Sequence, residues 1–158
     1  MTNNSIWGSI CSRENIMNKD KIILGNEPYC LRLPLETKWY KMTEERIKPE
    51  DYRLITPYWC NRLLLYGGKS LSKSKWSKKF FGFQPVIGDI LSRYTNAGGM
   101  TFKPFTQNIM TLGYPKSDDE ERILKLEHKG IEIRTGNPEW GAESSKVYFV
   151  IKHGEVIK

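Results

Sequence analysis

The chain has 158 residues, a mass of 18.4 kDa and a formal net charge of +7. With 39% hydrophobic and 27% charged residues, it has the composition of one globular domain that buries a core, which excludes a disordered chain. No window reaches the roughly 18 consecutive apolar residues of a membrane span, and the first residues lack the apolar segment of a secretory signal. We therefore expect a cytoplasmic protein that makes no contact with a membrane.

The positive charge is concentrated in the middle of the chain. Residues 61–110 carry eight lysines and arginines against Asp89 alone, a balance of +7, while the flanking segments are nearly neutral. Lysines neutralise phosphates and aromatic rings stack on unpaired bases, so the densest part, GKSLSKSKWSKKFFGF, predicts contacts with single-stranded nucleic acid. The candidate residues are Lys73, Lys75, Trp76, Lys78 and Lys79. The alternative is a lysine-rich surface that only keeps the protein in solution.

The cysteines and histidines form no recognisable metal-binding pattern. Cys11, Cys30 and Cys60 are widely spaced, and His128 and His153 stand alone. An odd number of cysteines without a secretory signal favours reduced thiols. A zinc site needs about four convergent ligands, so we expect neither a metal nor another cofactor.

The N-terminal part of the chain predicts a tail, a strand and a helix, in that order. Residues 1–22 are polar and aperiodic, which indicates a flexible extension. The alternation in EPYCLRLPL, residues 27–35, predicts a strand in which Pro34 marks the end or a sheet edge. A helix is then predicted over residues 35–47, with Thr37 as its cap.

An extended segment and a second helix are predicted next. Pro49 cannot continue a helix, so KPEDYRLI is expected to be extended. In TPYWCNRLLLYGG, Thr56 is placed to cap a helix that Pro57 begins. The glycines at positions 67 and 68 are expected to end that helix.

The rest of the chain changes from irregular to β-rich sequence. Residues 69–101 are the least regular part, apart from the apolar run PVIGDILSRY. After Thr101, alternating runs separated by glycines predict several strands. Early helices and late antiparallel strands predict an α+β fold. We expect a small barrel of about five or six mostly antiparallel strands with two or three flanking helices.

Two passages, IKPEDYRLITPYWCNRLL and TLGYPKSDDEERIL, resemble the ASCH domain, as does the ending GNPEWGAESSKVYFVIKHGE. The similarity is greatest to short phage and bacterial members. In the family signature G-x-K-x-x-E-x-R, Lys48 and Arg53 match, Asp51 replaces the glutamate and Arg46 stands at the glycine. The resemblance implies a single PUA-like domain over residues 23–158, with residues 68–100 as a basic insertion.

The signature residues have a chemistry of their own. Strand alternation places Asp51 and Arg53 on one face, where a carboxylate between two cations can orient both. Lys48 and Arg53 then suit a base or a phosphate, although a surface ion-pair cluster is the alternative. Tyr114 and Lys116 directly follow an apolar strand and are the other candidates for this cleft. The acidic run at 118–121 is better explained as an exposed turn.

The resemblance implies binding of RNA or of a modified nucleotide in this cleft. A second hypothesis is an enzyme, because some related proteins hydrolyse an acylated pyrimidine nucleoside or cleave RNA; Lys48 and Asp51 would then be the catalytic residues. Two departures weaken the second hypothesis: the amidohydrolase branch has a threonine where Asp51 stands, and no histidine lies near the motif in the sequence. A third possibility is a phage-type accessory protein whose partner is another protein.

Overall fold

The computed structural model describes residues 29–83 and 87–157, so the predicted extension at 1–22 lies outside the described residues. Within these ranges the protein has four α-helices and seven strands, which confirms the α+β class. The helices are α1 (Thr37–Glu44), α2 (Pro57–Leu63), α3 (Lys73–Phe80) and α4 (Ile87–Asn96). The strands are β1 (Cys30–Leu35), β2 (Glu50–Arg53), β3 (Leu64–Tyr66), β4 (Met100–Phe102), β5 (Gln107–Leu112), β6 (Ile123–Thr135) and β7 (Val147–Val156).

The strands form two sheets. Five of them lie in the order β1-β5-β6-β7-β2, with β1 parallel and β6 antiparallel to β5. The second sheet is the antiparallel pair β3 and β4. A five-stranded sheet in an α+β fold is compatible with the small barrel that the sequence predicts. In the described part of the chain, no helix is long and apolar enough to cross a membrane.

The chain divides into two compact units, each built from segments that are not consecutive in the sequence. Among the described residues, unit one comprises 29–51, 104–130 and 152–157, and unit two comprises 52–83, 87–103 and 131–151. Strands β6 and β7 therefore contribute residues to both units.

Unit one contains β1, α1 and β5. Leu31 and Leu33 are buried on β1. Pro34 is tolerated because β1 is an edge strand, the second of the two alternatives that the sequence left open. Helix α1 is shorter than expected. Thr37 is its first residue rather than its cap, and Arg46 leaves the helix with a left-handed φ of 64°.

Helix α2 in unit two begins as predicted and ends early. Thr56 Oγ1 accepts a hydrogen bond from the Trp59 amide at 3.3 Å, and Pro57 is the first helical residue. The helix ends at Leu63 because residues 64–66 become extended and pair with β4. The glycines that were expected to end the helix form the turn after β3 instead.

The basic stretch is more regular than its sequence suggests. Ser72 Oγ caps α3 by accepting from the Lys75 amide, and Trp76 and Phe80 form the buried face of this helix. The apolar run PVIGDILSRY, apart from its first two residues, which are not described, supplies most of α4. These two helices account for the difference between the four observed and the two or three expected.

The cysteines differ from one another. Cys60 is a buried thiol, and its burial raises its pKa to about 12. Cys30 is disulfide-bonded. The expectation of reduced thiols is therefore wrong for Cys30, because an odd cysteine count excludes complete pairing but not a single bridge.

Candidate functional site

Two residues of the signature form a buried ion pair in unit one. Lys48 follows α1 and is 2% exposed, and its Nζ lies 2.7 Å from Asp51 Oδ1 at the start of β2. The Lys48 amide donates to the carbonyl of Met42, which fixes the chain where it leaves α1. The two charges stabilise each other away from solvent, so neither presents an open surface to a phosphate. The sequence places this pair in a ligand-binding cleft, whereas the structure has both side chains buried and paired with each other.

A histidine lies beside the motif, although none is near it in the sequence. The amide of His153 on β7 donates to the carbonyl of Pro49 at 3.0 Å, and the residue is only 9% exposed. About a hundred positions separate His153 from Lys48 in the chain, so spacing alone could not have revealed it. The signal is the sheet order, in which β7 and β2 are neighbours.

His153 belongs to a hydrogen-bonded chain of three side chains in unit one. Asn108 Nδ2 contacts the carbonyl of Lys152 at 3.1 Å and Nδ1 of His153 at 2.7 Å, and Asn108 Oδ1 lies 2.7 Å from Nδ1 of His128. A carbonyl only accepts, so the amide group of Asn108 must donate towards β7. His153 Nδ1 is then the acceptor and its proton is on Nε2, whereas His128 donates from Nδ1.

Burial keeps both imidazoles neutral. Desolvation lowers the pKa of His128 to about 4. The pKa of His153 is also lowered to about 4, chiefly by desolvation, against an opposing effect of Asp51 and with smaller lowering effects of nearby cations. Nε2 of His153 is buried and has no hydrogen-bond partner among the described residues. An unsatisfied buried donor of this kind destabilises a fold by about 1–3 kcal/mol unless an acceptor reaches it.

The other end of the motif belongs to unit two and has a different environment. The guanidinium of Arg53 is partly exposed and lies 4.9 Å from the centroid of the Trp59 ring. Tyr52 points into the core, because its ring packs against Tyr148 at 5.6 Å and its hydroxyl accepts from the Asn137 amide. Of Lys48, Asp51 and Arg53, only Arg53 is therefore partly open to solvent.

Helix α3 separates the basic residues from the aromatic ones. The lysines at positions 73, 75, 78 and 79 are exposed, whereas Trp76 is fully buried. The prediction that Trp76 stacks on a base is therefore wrong: its indole packs against Phe80 and Tyr66 in the interior of unit two. Because residues 73–80 are helical, Trp76 shares one face with Phe80, four residues later, and this face is buried.

Exposed aromatic rings occur instead on α2, which is not among the candidate sites predicted from the sequence. Tyr58 is 46% exposed, and Trp59 is half-buried with its ring 5.2 Å from that of Tyr58. We call these two rings, with the surrounding Arg53, Arg62 and Lys73, the aromatic–cation surface. The signal in the sequence is the i,i+4 pair of Tyr58 and Arg62 on a capped helix.

The remaining candidates, Tyr114 and Lys116, follow β5 in unit one. Tyr114 is 87% exposed and Lys116 is also exposed. Because Lys48 and Asp51 are buried, the four residues do not share a solvent-facing surface. The acidic run at 118–121 is largely exposed, as predicted, and leads into a short 3-10 turn.

Within residues 29–83 and 87–157, no group of three or more histidine, cysteine, aspartate or glutamate side chains is arranged to hold a metal ion. No family model, curated protein or solved structure matches the chain. The resemblance to the ASCH domain therefore stays a prediction from the motif residues quoted above.

Proposed function

We propose that the protein binds RNA, and that its fold is a PUA-like barrel of the ASCH type. The α+β class, the strand that carries Asp51 and Arg53, and the antiparallel pairing of β5 with β6 support the fold assignment. The binding surface in this proposal is the outer face of unit two rather than a cleft around Lys48.

The observation that carries the proposal is the orientation of α3. Its apolar residues Trp76 and Phe80 anchor the helix in the core, so its lysines must face solvent. Ser72 fixes the first turn of the helix, which orders the lysines along one element rather than leaving them on a loose loop. An ordered row of cations suits the phosphates of a nucleic acid backbone.

The proposal requires electrostatic binding with a measurable salt dependence. Each phosphate that a lysine neutralises on a single strand releases condensed counterions and contributes about 0.7 to the slope of log K against log salt. Asp89 is the one acidic residue in the segment 61–110, so the local field favours a polyanion.

The test is titration of a labelled single-stranded RNA at two salt concentrations. We expect salt-sensitive binding by the parent chain, and a slope lower by about 1–1.5 for the double variant Lys75→Gln/Lys78→Gln. The matched control is Lys41→Gln/Lys125→Gln, which removes two exposed lysines outside the basic stretch.

If the control lowers the slope as much as the α3 variant does, net charge alone explains the binding and the proposed surface is wrong. Absence of binding at low salt contradicts RNA binding altogether. A single-stranded DNA of the same sequence, titrated in parallel, shows whether the ribose contributes.

A second candidate function is hydrolysis of a modified nucleoside or of RNA. One observation favours it: a neutral imidazole, that of His153, lies beside the Lys48–Asp51 pair and keeps an unsatisfied Nε2 proton. The burial of all three residues opposes it, because a substrate must reach them. Incubating the protein with labelled RNA and with an N-acylated cytidine, and comparing it with the Lys48→Ala variant, decides the matter.

A further inference from the structure

The first turn of α2 presents aromatic rings to solvent, although another face of the same helix is buried. Cys60 and Leu63 occupy that face and are fully buried. Because Thr56 and Pro57 set the start of the helix, Tyr58 falls on the outer side and remains 46% exposed. A single exposed tyrosine is common on protein surfaces, so evidence for a binding role must come from the groups around the ring.

Those surroundings are cationic. The guanidinium of Arg62 lies 5.0 Å from the Trp59 centroid and 5.8 Å from that of Tyr58, and its Nη1 donates to the Tyr58 hydroxyl at 3.3 Å. Arg53 is 4.9 Å from the Trp59 ring, and Lys73 Nζ is 5.8 Å from the Tyr58 ring. All of these contacts are within the range of cation–π attraction. Two rings and three cations thus converge on one face of unit two.

We infer that this aromatic–cation surface is a stacking platform for an unpaired base of single-stranded RNA. This inference rests on the proposed function and specifies its substrate class. The exposed part of the Tyr58 ring offers a π-face to a base, while Arg62 and Lys73 are placed to take the adjoining phosphates. Lys73 is also the first residue of α3, the helix that carries the other three lysines.

The platform predicts a preference for single strands over duplexes. A base exposes its π-face only when it is unpaired, whereas phosphates are exposed in both forms. The lysines therefore bind both forms, and the rings discriminate between them. Losing one stacked base weakens single-strand binding about ten-fold or more.

The experiment compares Tyr58→Leu with Tyr58→Phe. The leucine variant keeps an apolar side chain but loses the ring, and the phenylalanine variant loses only the hydroxyl that Arg62 contacts. We expect Tyr58→Leu to weaken binding of a single-stranded RNA about ten-fold, with an unchanged salt slope and unchanged duplex binding. Tyr58→Phe should bind nearly as the parent does. A Trp59→Leu variant, whose folding is verified by circular dichroism, repeats the test on the second ring.

The outcomes separate this inference from the function on which it rests. If the parent binds RNA with a salt-sensitive affinity but Tyr58→Leu and Tyr58→Phe bind equally well, stacking is refuted and electrostatic RNA binding stands. Equal parental affinity for single strands and duplexes also refutes it. If the parent does not bind RNA at low salt, the proposed function fails, and the platform fails with it.

Discussion

Units one and two place lysine side chains in opposite environments. In unit one, Lys48 is paired with Asp51 and both are buried, whereas in unit two Lys75 and its neighbours on α3 are exposed. A lysine loses its hydration when it is buried, so it needs a partner and holds the fold together around that partner. An exposed lysine keeps its hydration and remains able to exchange water for a phosphate. Burial, rather than residue type, therefore separates structural from recognition residues here.

The strongest test of this contrast is removal of one member of the buried pair. Asp51→Ala leaves the Lys48 ammonium buried without its carboxylate, and we expect the free energy of unfolding to fall by about 3–5 kcal/mol. Urea-induced unfolding followed by circular dichroism measures this loss.

The matched control replaces both members with apolar residues, as in Lys48→Met/Asp51→Leu. This double variant should unfold close to the parent, because no uncompensated charge remains. If Asp51→Ala is as stable as the parent, the pair does not hold the fold together, and Lys48 becomes available as a ligand or catalytic residue again.

A second, smaller effect is expected from acid. The pKa of His153 is about 4 in the folded protein, against an ordinary value of 6.5 in an unfolded chain. As pH falls below 6.5 the unfolded state binds the proton first, so stability decreases between about pH 6.5 and pH 4 and this contribution is constant below that range. Between pH 7 and pH 5 we expect His153 to lower the free energy of unfolding by about 2 kcal/mol, with a further decrease from His128.

Urea titrations at pH 5, 6 and 7 measure this slope. The variant His128→Gln keeps an amide that can donate to Asn108 Oδ1 but does not titrate, so its stability should depend less steeply on pH. A slope identical to that of the parent would show that His128 is not held neutral in the folded protein.

The sequence predicted the elements whose signals are local. The sequence predicts the cap at Thr56 and the proline that begins α2, and a sheet edge is one of the two positions that it predicts for Pro34. Each of these follows from the backbone chemistry of one or two residues. The early end of α2 was missed because it depends on β3 pairing with a strand far along the chain. Propensity alone would have continued the helix through Leu64 and Leu65.

The residues of the candidate site also divide into those that the sequence predicts and those that it does not. The lysines of α3 could be identified from charge alone, and the structure finds them exposed. The burial of Trp76 could not, since the surrounding sequence shows no clear helical period until the helix is known. The neighbourhood of Lys48 and His153 was also out of reach, because it depends on the order of strands in the sheet. Long-range pairing is what the sequence does not display.

The smallest expected effect is on the exposed side of the comparison. In the Lys75→Gln/Lys78→Gln variant, the two lysines are solvated in both the folded and unfolded states, so we expect the free energy of unfolding to change by less than about 0.5 kcal/mol. Any change should be stabilising at low salt, because fewer like charges remain on α3, and should vanish at 0.5 M salt as screening increases. Urea midpoints at the two salt concentrations measure this. A loss above 1 kcal/mol would show that these lysines stabilise the fold, and the reduced RNA binding of the variant would then have a structural cause.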